Sequence, residues 1–297
     1  MHQILFSIKS AGSGQNSSSD RWFQLPGLCC SAAGGDPNLA EDLAVAWYLF
    51  YIAADLMDKI EDKDELTPVW TGLRSGVALN IASGLYFSAS LVLNNLHDLE
   101  ELGLSSALVI ADFYRGFLSM CGGQHLDLVF DQPSLEQFWE TVAAKSGSFF
   151  SMACRLGACL ATNESLLLDG YGKFGHHLGI LIQIFDELEE LKNIQNHEGS
   201  MKWDHFMRSL PVIYASEVYP PTMRDRLKKC IQAADQDPQS AEEVLELINQ
   251  SGAVLYIRAE IERHREGALS GLSQASPSSP SGETLHALLD SLYHLIP

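Results

Sequence analysis

Two runs of carboxylates carry the chemistry legible in this sequence. The first lies in Ala53-Ala54-Asp55-Leu56-Met57-Asp58-Lys59-Ile60-Glu61-Asp62, behind an apolar stretch that includes Trp47, Leu49, Phe50, Tyr51 and Ile52. On a helix, Asp55, Asp58 and Asp62 share one face. Like charges at that spacing repel, so Lys59 and Lys63, or a divalent cation, must offset them. The second run is Gln183-Ile184-Phe185-Asp186-Glu187-Leu188-Glu189-Glu190, following the apolar Leu178-Gly179-Ile180-Leu181-Ile182. Asp186 and Glu190 are i, i+4 neighbours, and Gln183 lies one turn earlier. Taken alone, each run fits the solvated end of a buried helix. Facing one another, they would build an all-oxygen site suited to Mg²⁺, which binds through a few carboxylates plus phosphate oxygens. Its chemistry would be metal-assisted departure of a diphosphate, with apolar helix walls holding the hydrocarbon left behind.

The elements that must position these runs read as helices. Asp36 is a cap and Pro37 a first helical residue for a long apolar-periodic run. Residues 75–97 are nearly all apolar or small, which predicts a buried helix. Further helices are predicted over 104–121, 134–162, 166–195, 204–219, 221–234, 239–248, 250–269 and 283–295. No period-two alternation with hairpin turns is present, so strand content should be near zero. Residues 1–20 read as a flexible Ser/Gly-rich arm and 21–297 as one helical domain, with a Ser/Pro-rich loop over 274–284.

Composition narrows the function classes. With 46% hydrophobic residues among 297, wholesale disorder is excluded. Nineteen Lys and Arg against 38 Asp and Glu leave a net charge of −19, which repels nucleic acid and anionic lipid. An anionic substrate must then meet locally placed cations or metal. Six cysteines without a CxxC pair predict reduced thiols and a cytoplasmic protein. The apolar run at the N-terminus is too short for a signal peptide, and no stretch of about 18 uninterrupted apolar residues predicts a membrane span.

In order along the chain, these motifs resemble the trans-isoprenyl diphosphate synthase (polyprenyl synthetase) superfamily. Asp58-Lys59-Ile60-Glu61-Asp62 stands where that family has its first DDxxD, and Gly123-Gln124-His125-Leu126-Asp127 resembles its GQxxD. Lys145-Ser146-Gly147 resembles its Lys-Thr-Gly. Phe174-Gly175-His176-His177-Leu178-Gly179 followed by Gln183 to Glu190 resembles FGxxLGxxxQIxDDxxD, and Arg208-Ser209-Leu210-Pro211 resembles Gly-Lys-x-x-Leu-Pro. The resemblance implies an all-α isoprenoid synthase fold around a deep apolar cavity, Mg²⁺ as cofactor and a prenyl diphosphate as substrate. It assigns Asp58, Asp62, Asp186, Glu187 and Glu190 to metal and Lys145, Gln183, Lys192 and Arg208 to the diphosphate. Ala53 and Ala54 fall where an aromatic residue closes the pocket of short-chain members, so a long chain should fit. It also implies a homodimer through residues 75–97 and 104–121.

The departures are equally informative. The family's Arg-Pro is here Leu25-Pro26, and its Arg-Arg-Gly after the first motif is replaced by Asp64-Glu65-Leu66-Thr67-Pro68. Those cations serve the second co-substrate, isopentenyl diphosphate. A second diphosphate needs about two or three basic partners to bind in an acidic cavity. The sequence thus points first to a class I terpene synthase, which ionises one prenyl diphosphate. The alternatives are a prenyltransferase acting on isopentenyl diphosphate or a peptide side chain, or a non-catalytic partner subunit. His125, His176 and His177 read as packing or hydrogen-bonding residues, because imidazole matches Mg²⁺ poorly. Met57, Phe87, Phe149, Phe150 and Met152 read as core.

Overall fold

The structure, a computed structural model, describes residues 22–62, 70, 72–96, 105–196 and 203–293. The arm expected over 1–20, Lys63 and residues 64–68 lie outside them, and the side chain of Glu190 is likewise not described. All regular structure among the described residues is helical: α1 (Leu25–Ala32), a 3-10 turn (Pro37–Ala40), α2 (Glu41–Glu61), α3 (Ser75–Leu93), α4 (Ser106–Val129), α5 (Leu135–Val142), a π turn (Ala143–Gly147), α6 (Ser148–Cys159), α7 (Ser165–Asn196), α8 (Trp203–Phe206), α9 (Leu210–Val218), α10 (Pro221–Ala233), α11 (Pro238–Ser251), α12 (Ala253–Ala275) and α13 (Ser281–Tyr293).

Local chemistry sets many of these boundaries. Asp36 accepts the Asn38 N–H at 3.0 Å, but the cap opens the 3-10 turn, and α2 starts at Glu41. Ser134 and Gln137 form a capping box at the head of α5. Asp237 caps α11, which ends on the left-handed Gly252. The helix predicted over 204–219 breaks into α8 and α9, because Pro211 belongs in a first helical turn. The loop predicted over 274–284 shrinks to 276–280. Gln274 Nε2 donates to the Leu166 carbonyl at 2.8 Å, a tertiary contact that carries α12 through Ala275.

The chain divides into two compact units built from separate stretches, and several helices contribute residues to both. The first holds Met1–Gly116, Met152–Gly172 and Gly271–His286. Here α2 packs along α3, whose buried face is Ala78, Ala82, Leu85, Ala89 and Leu93. Phe50 of α2 meets Tyr86 of α3 and Phe113 of α4, with ring centroids 5.2 Å apart in both pairs. Gly157 lets α6 approach α1, since a Cβ there would fall 2.2 Å from the Pro26 carbonyl oxygen.

The expectation that α3 is buried is corrected. Val77, Leu79, Phe87 and Leu91 are exposed, Phe87 by 73% and Leu91 by 68%. Apolar composition all round the helix does not bury it all round, because α2 covers only one face. By length and composition α3 could also cross a membrane, contrary to the sequence expectation, with 28% of that apolar window buried. Phe87 is therefore not core, whereas Phe149, Phe150 and Met152 are. All six cysteines are free thiols.

The second unit holds Phe117–Ser151, Lys173–Ser270 and Ala287–Pro297. Leu191, Phe206, Val212, Leu227, Val244 and Leu247 centre its core between α7 and α12. Tyr219 at the end of α9 donates to the Leu247 carbonyl at 2.6 Å, tying α9 to α11. A cleft of about 410 Å³ is lined by Gln137, Met207, Ile213, Arg224 and Lys228 among others, and none of the predicted site residues lines it.

Candidate active site

In the first unit, the predicted residues lie on the last turns of α2. Ala53 is buried, and Ala54, Asp58 and Asp62 are partly exposed. Asp62 occupies the C-cap position, where its N–H donates to the Asp58 carbonyl at 2.9 Å. Asp58 and Asp62 are thus one turn apart on one face. Lys59 reaches back one turn and pairs with Asp55. The lysine in the motif therefore neutralises the carboxylate one turn below Asp58.

In the second unit, a polar cluster forms around the π turn. Lys145 Nζ meets Asp127 Oδ2 at 3.1 Å. Arg208 Nη1 donates to the Asp127 carbonyl oxygen at 2.9 Å. That carbonyl lies in the last turn of α4 and lacks an intrahelical donor, so a cation suits it. Ser146 Oγ donates to Gln183 Oε1 at 3.1 Å, tying the π turn to α7 one turn before Asp186. Lys145 and Arg208 thus meet on the motif residue Asp127, and Gln183 joins them through Ser146, the neighbour of Lys145.

Other predicted residues stand differently. Asp186 is exposed and Lys192 partly exposed, both on α7. Glu187 accepts the Leu210 N–H through Oε2 at 2.9 Å, satisfying a free donor at the start of α9. One oxygen of this predicted metal ligand therefore already has a helix-capping role. Among the described residues no three His, Cys, Asp or Glu side chains form a metal cluster. The donor chemistry still fits a hard divalent ion, because Asp58, Asp62, Asp186 and Glu187 offer only carboxylate oxygens.

Sequence reasoning missed two contacts. The π turn has no composition signal, so the helix predicted over 134–162 hid it. π turns often occur at functional sites. His176 packs on that turn: a Cβ at Gly147 would fall 2.7 Å from His176 Nδ1. Burial lowers the pKa of His176, while a hydrogen bond to the Gly147 backbone raises it. His177 and His264, with Nδ1 atoms 2.9 Å apart, join α7 to α12. Both histidines therefore have the packing and hydrogen-bonding role read for His176 and His177, whereas His125 is exposed.

Comparison with known proteins follows the same path. Residues 24–248 match the family model for polyprenyl synthetase. Over 154 residues the chain is 32% identical to the Tryptophan prenyltransferase ComQ of Bacillus subtilis subsp. natto, a match spanning 52% of this chain and 46% of that relative's length. A decaprenyl diphosphate synthase from Rhodobacter capsulatus superposes with a TM-score of 0.81 at 17% identity, covering 99% of this chain and 90% of that one. A polyprenyl synthase from Caulobacter crescentus, complexed with calcium and isoprenyl diphosphate, gives 0.76 at 19% identity over 93% and 84%. At these identities the structural matches establish the fold.

Proposed function

Because the chain belongs to the polyprenyl synthetase family, we propose that it is a prenyltransferase that takes the prenyl group of one allylic diphosphate and passes it to an acceptor lacking a diphosphate. The family and the relatives favour transfer, so the sequence's first choice, a terpene synthase that works without an acceptor, gives way to its alternative. An indole side chain of a peptide is the proposed acceptor class, supported by the likeness to a tryptophan prenyltransferase.

The observation that carries this reading is Leu25. The family places an arginine for isopentenyl diphosphate at this position, but here it is a leucine fully buried in α1. No cation can be presented from that point. Asp64 and Glu65 stand where the other two arginines would be. These positions offer a second diphosphate no cation, whereas an uncharged indole needs none.

The residues have separable roles. Mg²⁺ held by Asp58, Asp62, Asp186, Glu187 and Glu190 would offset the charge of the departing diphosphate. Lys145, fixed by Asp127, and Arg208 would grip the phosphate oxygens. Gln183 would orient Lys145's turn through Ser146.

The test is to incubate the protein with geranyl, farnesyl or geranylgeranyl diphosphate and Mg²⁺, adding isopentenyl diphosphate or a tryptophan-containing peptide. Peptide gaining the mass of one prenyl group is the expected outcome. Longer prenyl diphosphates would overturn the acceptor assignment. Hydrocarbons or alcohols formed without any acceptor would restore the terpene synthase reading. No turnover of any of these substrates would favour a non-catalytic partner subunit.

A further inference from the structure

The π turn Ala143–Gly147 interrupts the helical rod α5–α6 at the residues that carry Lys145. Two helices press on it. From α4, Gly123 lies so close that a Cβ would fall 2.4 Å from Lys145 N and 2.8 Å from Lys145 Cα. From α7, Gly179 lies equally close to Ser146, with 2.4 Å from its would-be Cβ to the Ser146 carbonyl oxygen. On the same face of α7, one turn to either side, stand His176 and Gln183. Gln183 accepts from Ser146 Oγ. The His176 ring lies against Gly147, in the space a side chain there would occupy, and hydrogen-bonds its backbone.

His176 is held in this place from behind. Its ring meets His177 edge-on, with centroids 5.4 Å apart. His177 pairs with His264 of α12, which stacks on Trp139 of α5 at 5.7 Å. Trp139 Nε1 in turn donates to Tyr256 Oη of α12 at 2.8 Å. Packing thus fixes both the imidazole and the rod that it braces.

We propose that His176 is a positioning residue for Lys145: its imidazole, seated against Gly147, holds the π turn in the form that sets the Lys145 ammonium on Asp127, in place to grip the diphosphate. The inference rests on the diphosphate role of Lys145 given above. A plain core histidine would contribute to stability independently of Lys145. A positioning residue acts through it.

Double-mutant analysis separates the two. Farnesyl diphosphate binding in Mg²⁺ is measured by calorimetry for the wild type, Lys145→Ala, His176→Leu, the double variant and Gly147→Ala. Lys145→Ala should weaken binding about tenfold and His176→Leu about fivefold, a loss of one charge-assisted contact. In the Lys145→Ala background, His176→Leu should change affinity by less than about twofold. Gly147→Ala displaces the ring without removing it and should reproduce the loss, which covers the case where His176→Leu fails to fold. Equal losses in both backgrounds, or normal binding by both His176→Leu and Gly147→Ala, would overturn the proposal. Normal binding by Lys145→Ala would remove the premise itself. Weak binding by Lys145→Ala with normal binding by the other two would remove only the inference about His176.

Discussion

In the proposed reaction Asp58 and Lys145 would meet the same leaving group in different ways, and their removal should read out differently. On that proposal, Asp58→Ala or Asp186→Ala leaves the metal under-coordinated and the charge of the departing diphosphate uncompensated. Each should abolish diphosphate release, and a phosphate-release assay with near-native turnover would refute the assignment. Lys145, in its proposed role, would grip the diphosphate in ground and transition states alike, so Lys145→Ala should raise KM more than it lowers kcat. Tyr171 gives a test unconnected with catalysis. Its hydroxyl is fully buried beside the thiols of Cys29, Cys30 and Cys154 and has no hydrogen-bond partner among the described residues. Tyr171→Phe should therefore be neutral or stabilise the fold by up to about 1 kcal/mol in chemical denaturation, because no bond is lost and a desolvated hydroxyl is removed.

Helix α2 and the π turn show how an element fixes what its residues can do. Ala53 is buried, and the bulky neighbours that could fill its space are committed elsewhere. Phe50 packs into Tyr86 and Phe113, Tyr51 stacks near Trp47 and Tyr48, and Phe87 faces outward. Lys59 neutralises Asp55, the carboxylate that would otherwise make this stretch polar. A long prenyl chain should thus be accepted, each added CH₂ stabilising the complex by about 0.8 kcal/mol. Comparing kcat/KM for geranyl, farnesyl and geranylgeranyl diphosphates should place the last first, and Ala54→Phe should move the preference to shorter chains. An unchanged ranking in the variant would show that α2 does not set chain length.

At the scale of the whole molecule, two properties invite measurement. The exposed apolar residues of α3, Val77, Leu79, Phe87 and Leu91, give the homodimer expected from the sequence a surface on which to test it. Light scattering should give twice the chain mass of 32.7 kDa, and Phe87→Glu with Leu91→Glu should halve it. The second property is acid lability. Burial is the main cause of the lowered pKa values of His177, to about 4, and His264, to about 3, and nearby Arg263 and His176 add to it. Their neutral forms contribute stability that is complete above the unfolded pKa near 6.5. It is lost as pH falls towards the folded values, because the unfolded chain then binds more protons. The slope should reach about 1.4 kcal/mol per pH unit for each histidine, and His264→Leu should flatten it between pH 6.5 and 4 in urea titrations.

The helical class, the order of the motifs and the candidate carboxylates were all legible in the residues themselves. Helix caps act within a few residues, and the i, i+4 spacing of Asp58 with Asp62 and of Asp186 with Glu190 is a property of local sequence. The loss of the isopentenyl-binding cations was also written there, as Leu25, Asp64 and Glu65. What sequence could not fix depended on which distant groups meet. The π turn exists where Gly123 and Gly179 admit α4 and α7 against one stretch of backbone. Ser146 and Gly147 weaken the helix there, but weak helix formers alone do not distinguish a π turn from an α-helical one. Likewise α3 is apolar on all sides, and only packing decided that α2 would cover Ala78 and Ala82 and leave Phe87 outside. Asp127 and Glu187 found their partners by the same logic: a charged group's role follows from the atoms within about 3 Å of it, and tertiary structure supplies most of those.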